Sequence, residues 1–261
     1  KKVFITGGAG YVGARLVPYL LSKKYFVTVY DALYFKNYLK KHKHLRVIKG
    51  DIRDINKISK YCKNHDIFLH LACISNDTSF ELNNNLSKSI NFDCFEKMVK
   101  AAKISGITRF IYASSSSVYG VSKKKNVTEN HPLLPLTLYN KFKGMCEPIL
   151  FKYTDEKFVG VVFRPATVCG YSDRMRLDLS VNILTNHGYN NKKITVFGGE
   201  QLRPNLHILD YCDAVLKLMR APSKKVKNQT FNVGNQNMKI IDIAKKIKKI
   251  LEIKLQEKVD I

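Results

Sequence analysis

Short apolar runs rich in β-branched and aromatic residues alternate with longer stretches whose apolar positions recur at helical spacing. Residues 3–6, 26–30, 46–48, 67–71 and 109–112 are apolar almost throughout, the pattern of strands covered on both faces. Between them, 12–22, 55–62 and 91–105 are amphipathic and predict helices. Pro18 lies inside the first of these and is expected to kink or shorten it. Continuous apolar strands alternating with helices predict a parallel sheet with helices on both sides.

A helix over 138–153 and a strand over 159–163 continue the alternation, which then loses regularity. Residues 178–187, 211–220 and 240–250 predict helices, and 194–196 and 230–232 predict strands. No internal repeat and no low-complexity linker divides the chain. The expected organisation is one domain over 1–165 and a smaller lobe over 166–261 interwoven with it.

Composition adds little to this picture except in charge. The chain has 261 residues and 45 Lys+Arg against 21 Asp+Glu, a formal net charge of +24. Such a balance would suggest a polyanionic partner. Only nine of the basic residues are arginine, the residue suited to bidentate phosphate and base recognition, and the lysines are spread over nearly every segment. Solvated lysine is therefore the expectation, not a nucleic-acid face. His42 and His44 have no further ligand nearby, so no metal site is expected. The six cysteines show no C-x-x-C pair, no run approaches the roughly 18 apolar residues of a membrane helix, and the first residues enter a strand at once. These features lead to the expectation of a cytoplasmic protein with reduced thiols and no signal peptide.

Thr6-Gly7-Gly8-Ala9-Gly10-Tyr11-Val12-Gly13 joins the first strand to the first helix. Gly7, Gly10 and Gly13, with a strand before and a helix after, suit a tight turn whose backbone approaches a pyrophosphate at the helix N-terminus. This is the Rossmann arrangement, a doubly wound parallel sheet of the α/β class. Asp31 closes the second strand, where a carboxylate can accept from the adenosine ribose hydroxyls and repel a 2′-phosphate; a turn or cap aspartate is the other reading. Asp51 and Ile52 follow the third strand within reach of an adenine. Leu71 and Ala72 end the fourth beside the pyrophosphate, and Cys73 reads as a small buried residue.

Tyr139 and Lys143 are four apart on a predicted helix and share a face. A neighbouring ammonium favours the phenolate, so Lys143 is expected to lower the Tyr139 pKa. Ser114 to Ser117 leave the fifth strand at the carboxyl edge of the sheet, where such folds bind ligands. A serine there can share a substrate alcohol with Tyr139.

T-G-G-A-G-Y-V-G, Asp31, G-D-I-R-D (Gly50–Asp54), H-L-A (His70–Ala72), S-S-S-S-V-Y-G (Ser114–Gly120) and Y-N-K-F-K (Tyr139–Lys143) stand in the order and spacing of the extended short-chain dehydrogenase/reductases. The chain resembles their NAD-dependent epimerase/dehydratase family, and R-P-A-T-V-C-G (Arg164–Gly170), R-P-N-L-H-I (Arg203–Ile208) and F-N-V-G (Phe231–Gly234) extend the resemblance to about residue 250. The resemblance implies NAD held by Gly7, Gly10, Tyr11, Val12 and Gly13, with Asp31 on the ribose and Asp51-Ile52 on the adenine. Leu71, Ala72, Tyr139 and Lys143 complete the cofactor site. It makes Tyr139 the acid/base, Lys143 its partner, and Ser115, counted back from Val118-Tyr119-Gly120, the catalytic serine. Asn91 would brace the site. Asn182 and Arg203 would grip the diphosphate of a nucleotide sugar; Arg174 and Arg176 fit that role or a solvated loop equally.

Two departures bear on the reaction. Dehydratases of the family usually carry Asp-Glu directly after the catalytic Ser/Thr, where this chain has Ser116 and Ser117. Members also usually continue some tens of residues further, which implies that part of the substrate lobe is missing. The implied activity is nucleotide-sugar epimerisation, with inversion at C4 through a transient ketone, by a homodimer packed through 91–105 and 138–153. A dehydratase or reductase on the same scaffold, and a non-catalytic relative binding NAD or RNA, are the alternatives.

Overall fold

The computed structural model describes residues 1–75, 77–122, 124 and 126–261. In chain order the strands are β1 (Lys2–Thr6), β2 (Phe26–Asp31), β3 (Leu45–Lys49), β4 (Ile67–His70), β5 (Arg109–Ala113), β6 (Val159–Pro165), β7 (Thr167–Cys169), β8 (Leu202–His207), β9 (Gln229–Val233) and β10 (Gln236–Lys239). The helices are α1 (Gly13–Ser22), α2 (Ile55–Cys62), α3 (Asp77–Glu81), α4 (Asn84–Lys88), α5 (Phe95–Ile104), α6 (Leu138–Lys152), α7 (Ser180–Asn191), α8 (Ile208–Arg220), α9 (Ser223–Val226) and α10 (Ile240–Leu255). Seven strands pair in the order β3-β2-β1-β4-β5-β6-β9, every pairing parallel. This is the Rossmann order extended by one strand. A second sheet, β10-β8-β7, pairs β10 antiparallel and β7 parallel to β8.

Alternation along each strand builds two cores from one sheet. Val3, Ile5, Ile67, Leu69, Ile111 and Val161 point to the side covered by Leu16, Val17 and Leu20 of α1 and Val215 and Met219 of α8. Phe4, Phe68, Phe110, Tyr112 and Val162 point to the other, beneath Ile58 of α2, Met98 and Val99 of α5 and Cys146 and Leu150 of α6. A third cluster, with Leu184 of α7 and Ile243, Ile247 and Leu251 of α10, lies apart from the large sheet.

Four expectations change. Residues 194–196 form no strand: Lys193 makes a single bridge to Asp260, and the Ile194 N–H donates to the Asp260 carbonyl at 2.8 Å. The helix expected over 91–105 is divided, a π-helical turn at Ser89–Asp93 preceding α5. α1 runs through Pro18 to Ser22, with the proline exposed on its surface. Of the apolar residues on 91–105 and 138–153 expected to pack against a second copy, Phe95, Val99, Phe142 and Ile149, most are used within the chain. Phe95 and Val99 are buried in the core, and Phe142 stacks on Phe80 and Phe92.

Candidate active site

The turn after β1 is shaped by contacts only glycine allows. Gly7 has φ +75°, and a Cβ there would lie 2.5 Å from the Ala72 backbone nitrogen; at Gly13 it would lie 2.3 Å from the Gly8 carbonyl oxygen. At Gly10 an added Cβ would meet only the Gly7 carbonyl oxygen, at 3.3 Å, so this residue faces open space. The first two hold the loop against its neighbours, and the third leaves its backbone open to a ligand. α1 starts with no side-chain cap and no acidic residue in its first turn. The Ala14 and Arg15 N–H groups turn back to the Gly10 and Val12 carbonyls, at 2.8 and 3.1 Å, so no carboxylate competes with an anion approaching this end of the helix.

Asp31 ties this loop to the end of β2. Its Oδ2 accepts from the Ala9 N–H at 2.9 Å and its Oδ1 from the Leu33 N–H at 2.8 Å. A carboxylate oxygen has two lone pairs, so each retains one for a ligand. Asp51 is gripped by the Arg53 side chain, Nη2 to Oδ2 at 2.5 Å, which lowers its pKa from the ordinary carboxylate value. The turn after β4 is braced by Asn91, whose Oδ1 accepts from the Ile74 N–H at 2.8 Å while its Nδ2 donates to the Ile74 carbonyl at 2.9 Å. Beneath it, His70 Nδ1 and Thr6 Oγ1 are hydrogen-bonded at 2.7 Å. Burial, with Lys143 nearby, brings the His70 pKa down to about 3.

Thr137 caps α6, accepting from the Asn140 N–H at 3.3 Å, and sets Tyr139 in its first turn. Lys143 Nζ donates to the Ala113 carbonyl at 2.7 Å and lies over the Tyr112 ring. Burial pushes the Tyr139 phenol well above its ordinary pKa, and the cation that opposes this is the Arg176 guanidinium. The expectation that Lys143 lowers this pKa is thus corrected: desolvation dominates, and Lys143, with one of its three donors on the Ala113 carbonyl, is not among the groups that oppose it.

Ser115 starts a 3-10 turn at Ser116–Tyr119, and its hydroxyl oxygen lies 2.6 Å from that of Ser117. Ser114 donates to Glu147 Oε1 at 2.6 Å, and Glu147 is paired with Arg164 at 3.0 and 2.5 Å. Arg164 also donates to the Tyr119 hydroxyl at 2.6 Å.

These elements border a cavity of about 500 Å³ at the carboxyl edge of the large sheet. Gly7, Gly10, Tyr11, Val12, Gly13, Asp31, Asp51, Ile52, Leu71 and Ala72 line one end, and Tyr139, Lys143 and Ser114 the other. Its size falls within the range of cofactor sites. Ser115, the serine expected to be catalytic, is not among the lining residues, whereas its neighbour Ser114 is. Arg174 and Arg176 reach the cavity from the segment between β7 and α7. Arg174 lies 3.9 Å from the Phe35 ring centroid, and Arg176 Nη1 donates to Ser75 Oγ at 2.9 Å. Asn182 and Arg203 are not among the lining residues. Asn182 is buried, accepting from the Gly170 N–H at 3.0 Å and donating to the Tyr11 hydroxyl at 3.1 Å, whereas Arg203 is exposed on β8. Among the described residues, no group of three metal-ligating side chains occurs and no helix is long and apolar enough to cross a membrane.

The model of the NAD-dependent epimerase/dehydratase family matches residues 3–234. The chain belongs to that family. NAD is its cofactor, and the open face of Gly10, the bare start of α1 and Asp31 fit such a dinucleotide. Among family members, a UDP-glucose 4-epimerase of Lactobacillus helveticus is 27% identical over 274 residues, spanning 94% of this chain and 81% of that protein. The dTDP-D-glucose 4,6-dehydratase of Homo sapiens is also 27% identical, over 97% of this chain and 74% of that protein. The structure of a UDP-N-acetylglucosamine 4-epimerase from Methanobrevibacter ruminantium M1 superposes with a TM-score of 0.86 at 25% identity, covering 100% of this chain and 84% of that one. Epimerases and dehydratases of nucleotide sugars thus stand at similar distances from this chain.

Proposed function

We propose that the protein is an NAD-dependent nucleotide-sugar epimerase that inverts a ring alcohol, at C4, through a transient ketone. The observation that carries this reading is the pair Ser116-Ser117. Where dehydratases of the family usually carry an acid and a base, this chain has two hydroxyls, and that of Ser117 is bonded to Ser115 and Asn140. Nearby carboxylates are engaged: Glu147 with Arg164, Asp178 with Arg176, and Asp77 with the Thr137 hydroxyl. Elimination of water lacks the acid–base pair it needs.

Bound NAD supplies the reversible two-electron oxidation of the ring carbon. The glycine loop and Asp31 hold the dinucleotide, and Asp51 and Ile52 meet its adenine. With the positively charged nicotinamide of NAD bound beside it, Tyr139 would ionise, and its Oη would take the proton of the ring hydroxyl and return it to the same oxygen once hydride has come back to the opposite face of the ring carbon. Lys143, four residues on, holds the nicotinamide ribose, and Ser115 orients the reacting oxygen. Arg176, at the Tyr139 end, meets the sugar diphosphate together with Arg174; Asn182 supports that segment from behind, and Arg203 reaches the nucleotide from β8. A second copy packs through α5 and α6, where Ile104 and Met145 are exposed. The six free cysteines suit a reducing, cytoplasmic setting.

The test incubates the protein with UDP-, GDP-, CDP- and dTDP-sugars and follows products by NMR and mass spectrometry. Inversion at one carbon with no change of mass is expected. Loss of water would replace the reading with a dehydratase, and salt-sensitive RNA binding without turnover would replace it with a binding protein.

A further inference from the structure

Ser115, Ser117 and Asn140 stand in a row. The two hydroxyl oxygens are 2.6 Å apart, the Ser117 hydroxyl donates to Asn140 Oδ1, and the Ser117 backbone N–H donates to Ser115 Oγ at 3.2 Å. Asn140 is buried in the first turn of α6, beside Tyr139, and its backbone is held by the Thr137 cap. Each hydroxyl has one hydrogen, so the row has a direction. With Asn140 Oδ1 at its end, Ser117 gives its hydrogen to Asn140 and Ser115 gives its own to Ser117. Ser115 can then only accept from a substrate hydroxyl. With the amide turned over, Asn140 Nδ2 donates to Ser117, Ser117 to Ser115, and Ser115 to the substrate oxygen. The two arrangements differ by a half-turn of one amide whose oxygen and nitrogen occupy equivalent space.

We propose that Asn140, acting through Ser117, is a positioning residue that decides whether Ser115 donates to the reacting oxygen or accepts from it. This rests on the epimerase reading above. Catalysis needs the donating direction. An alcohol oxygen that receives the Ser115 hydrogen keeps its own for Tyr139, and the ketone oxygen that follows can only accept. The proton balance closes without the row: the substrate O–H bond breaks as the Tyr139 O–H bond forms, the reverse follows on return, and the row neither gains nor loses a proton. Ser117 thus fills a place usually taken by dehydratase acid–base chemistry with a neutral hydroxyl that aims the catalytic serine.

Steady-state kinetics on four proteins tests this. Asn140→Asp keeps the shape but, ionised at pH 8, can only accept, so it locks Ser115 in the accepting direction. It should lower kcat by about 10²-fold, the scale of a misplaced reacting group, with KM for the sugar nucleotide within about threefold of wild type. Ser117→Ala should lose kcat on the same scale, and Ser117→Thr, which keeps the hydroxyl, should restore it to within about threefold of wild type. Unchanged kcat in Asn140→Asp and Ser117→Ala, a change in KM alone, or failure of Ser117→Thr to restore turnover would overturn the proposal. Neutron diffraction of the NAD-loaded protein gives a readout free of turnover: deuterium should lie on both lines of the row, and an empty line would overturn it. A continuous row in a protein that turns over no sugar nucleotide would remove the epimerase reading and leave the row standing.

Discussion

Glu147 and Arg164 form a two-pronged ion pair directly beneath the serine turn, with Arg164 Nε on Oε1 at 3.0 Å and Nη2 on Oε2 at 2.5 Å. Both side chains are almost fully buried, and the Ser114 and Tyr119 hydroxyls share the pair. It joins α6, which carries Tyr139, to β6 and to the turn that carries Ser115. Removing one partner leaves a buried charge unmatched. Glu147→Ala should therefore cost about 3–5 kcal/mol in denaturant unfolding. A loss below about 1 kcal/mol, the range of exposed pairs, would show that water reaches Arg164.

Tyr139→Phe removes the only proton acceptor assigned to the ring hydroxyl. Turnover should fall by about 10²–10⁴-fold, the usual contribution of a general acid–base group. NAD content should persist, because the glycine loop and Asp31 are untouched. Retention of most activity would move the acid–base role elsewhere.

In the proposed reading Asp31 holds the adenosine ribose, so a 2′-phosphate would meet a like charge. Calorimetry should show NAD binding at least about tenfold, or 1.4 kcal/mol, more tightly than NADP. Asp31→Ala should weaken NAD binding and narrow the gap. Equal affinities in the wild type would take Asp31 off the ribose.

His70 links the site to acid stability. Its folded pKa, about 3, lies below the unfolded value of 6.5, so between these limits the unfolded chain binds a proton that the folded one refuses. The contribution of its neutral form is complete above pH 6.5 and is lost as pH falls toward 3, by up to about 1.4 kcal/mol per pH unit. The urea midpoint should drop across this window, and the His70 ring signals in NMR should stay constant from pH 8 to 5. A ring titrating near pH 6 would contradict this account.

The inner strands of the large sheet were legible because burial on both faces leaves them almost wholly apolar, whereas the edge strands β3 and β9 are only partly buried. β8 was not legible: it carries Arg203, Pro204 and Asn205, and Pro204 is tolerated because its register partner is Asn237 of β10, beyond the end of β7. Residues 194–196 look like a strand for the opposite reason, since Ile194 is buried in a helical cluster and not beside a neighbouring strand. At the site, residues fixed by a local strand–turn–helix unit, such as Gly10 and Asp31, could be placed from the chain alone. Residues brought together from distant segments could not. The Arg176–Tyr139 approach and the link from Asn182 to Tyr11 depend on how the segment after β7 folds back over the cavity. Ser117 and Asn140 each occur within a recognisable motif, but nothing in either motif shows that they meet.

The central claim is inversion without loss of water. Its most direct test supplies a nucleotide sugar deuterated at C4 and examines the product by mass spectrometry and NMR. The account predicts a product of unchanged mass, inverted at C4, with the deuterium still on that carbon. A product lighter by one water, or one from which the label has exchanged into solvent, would contradict it.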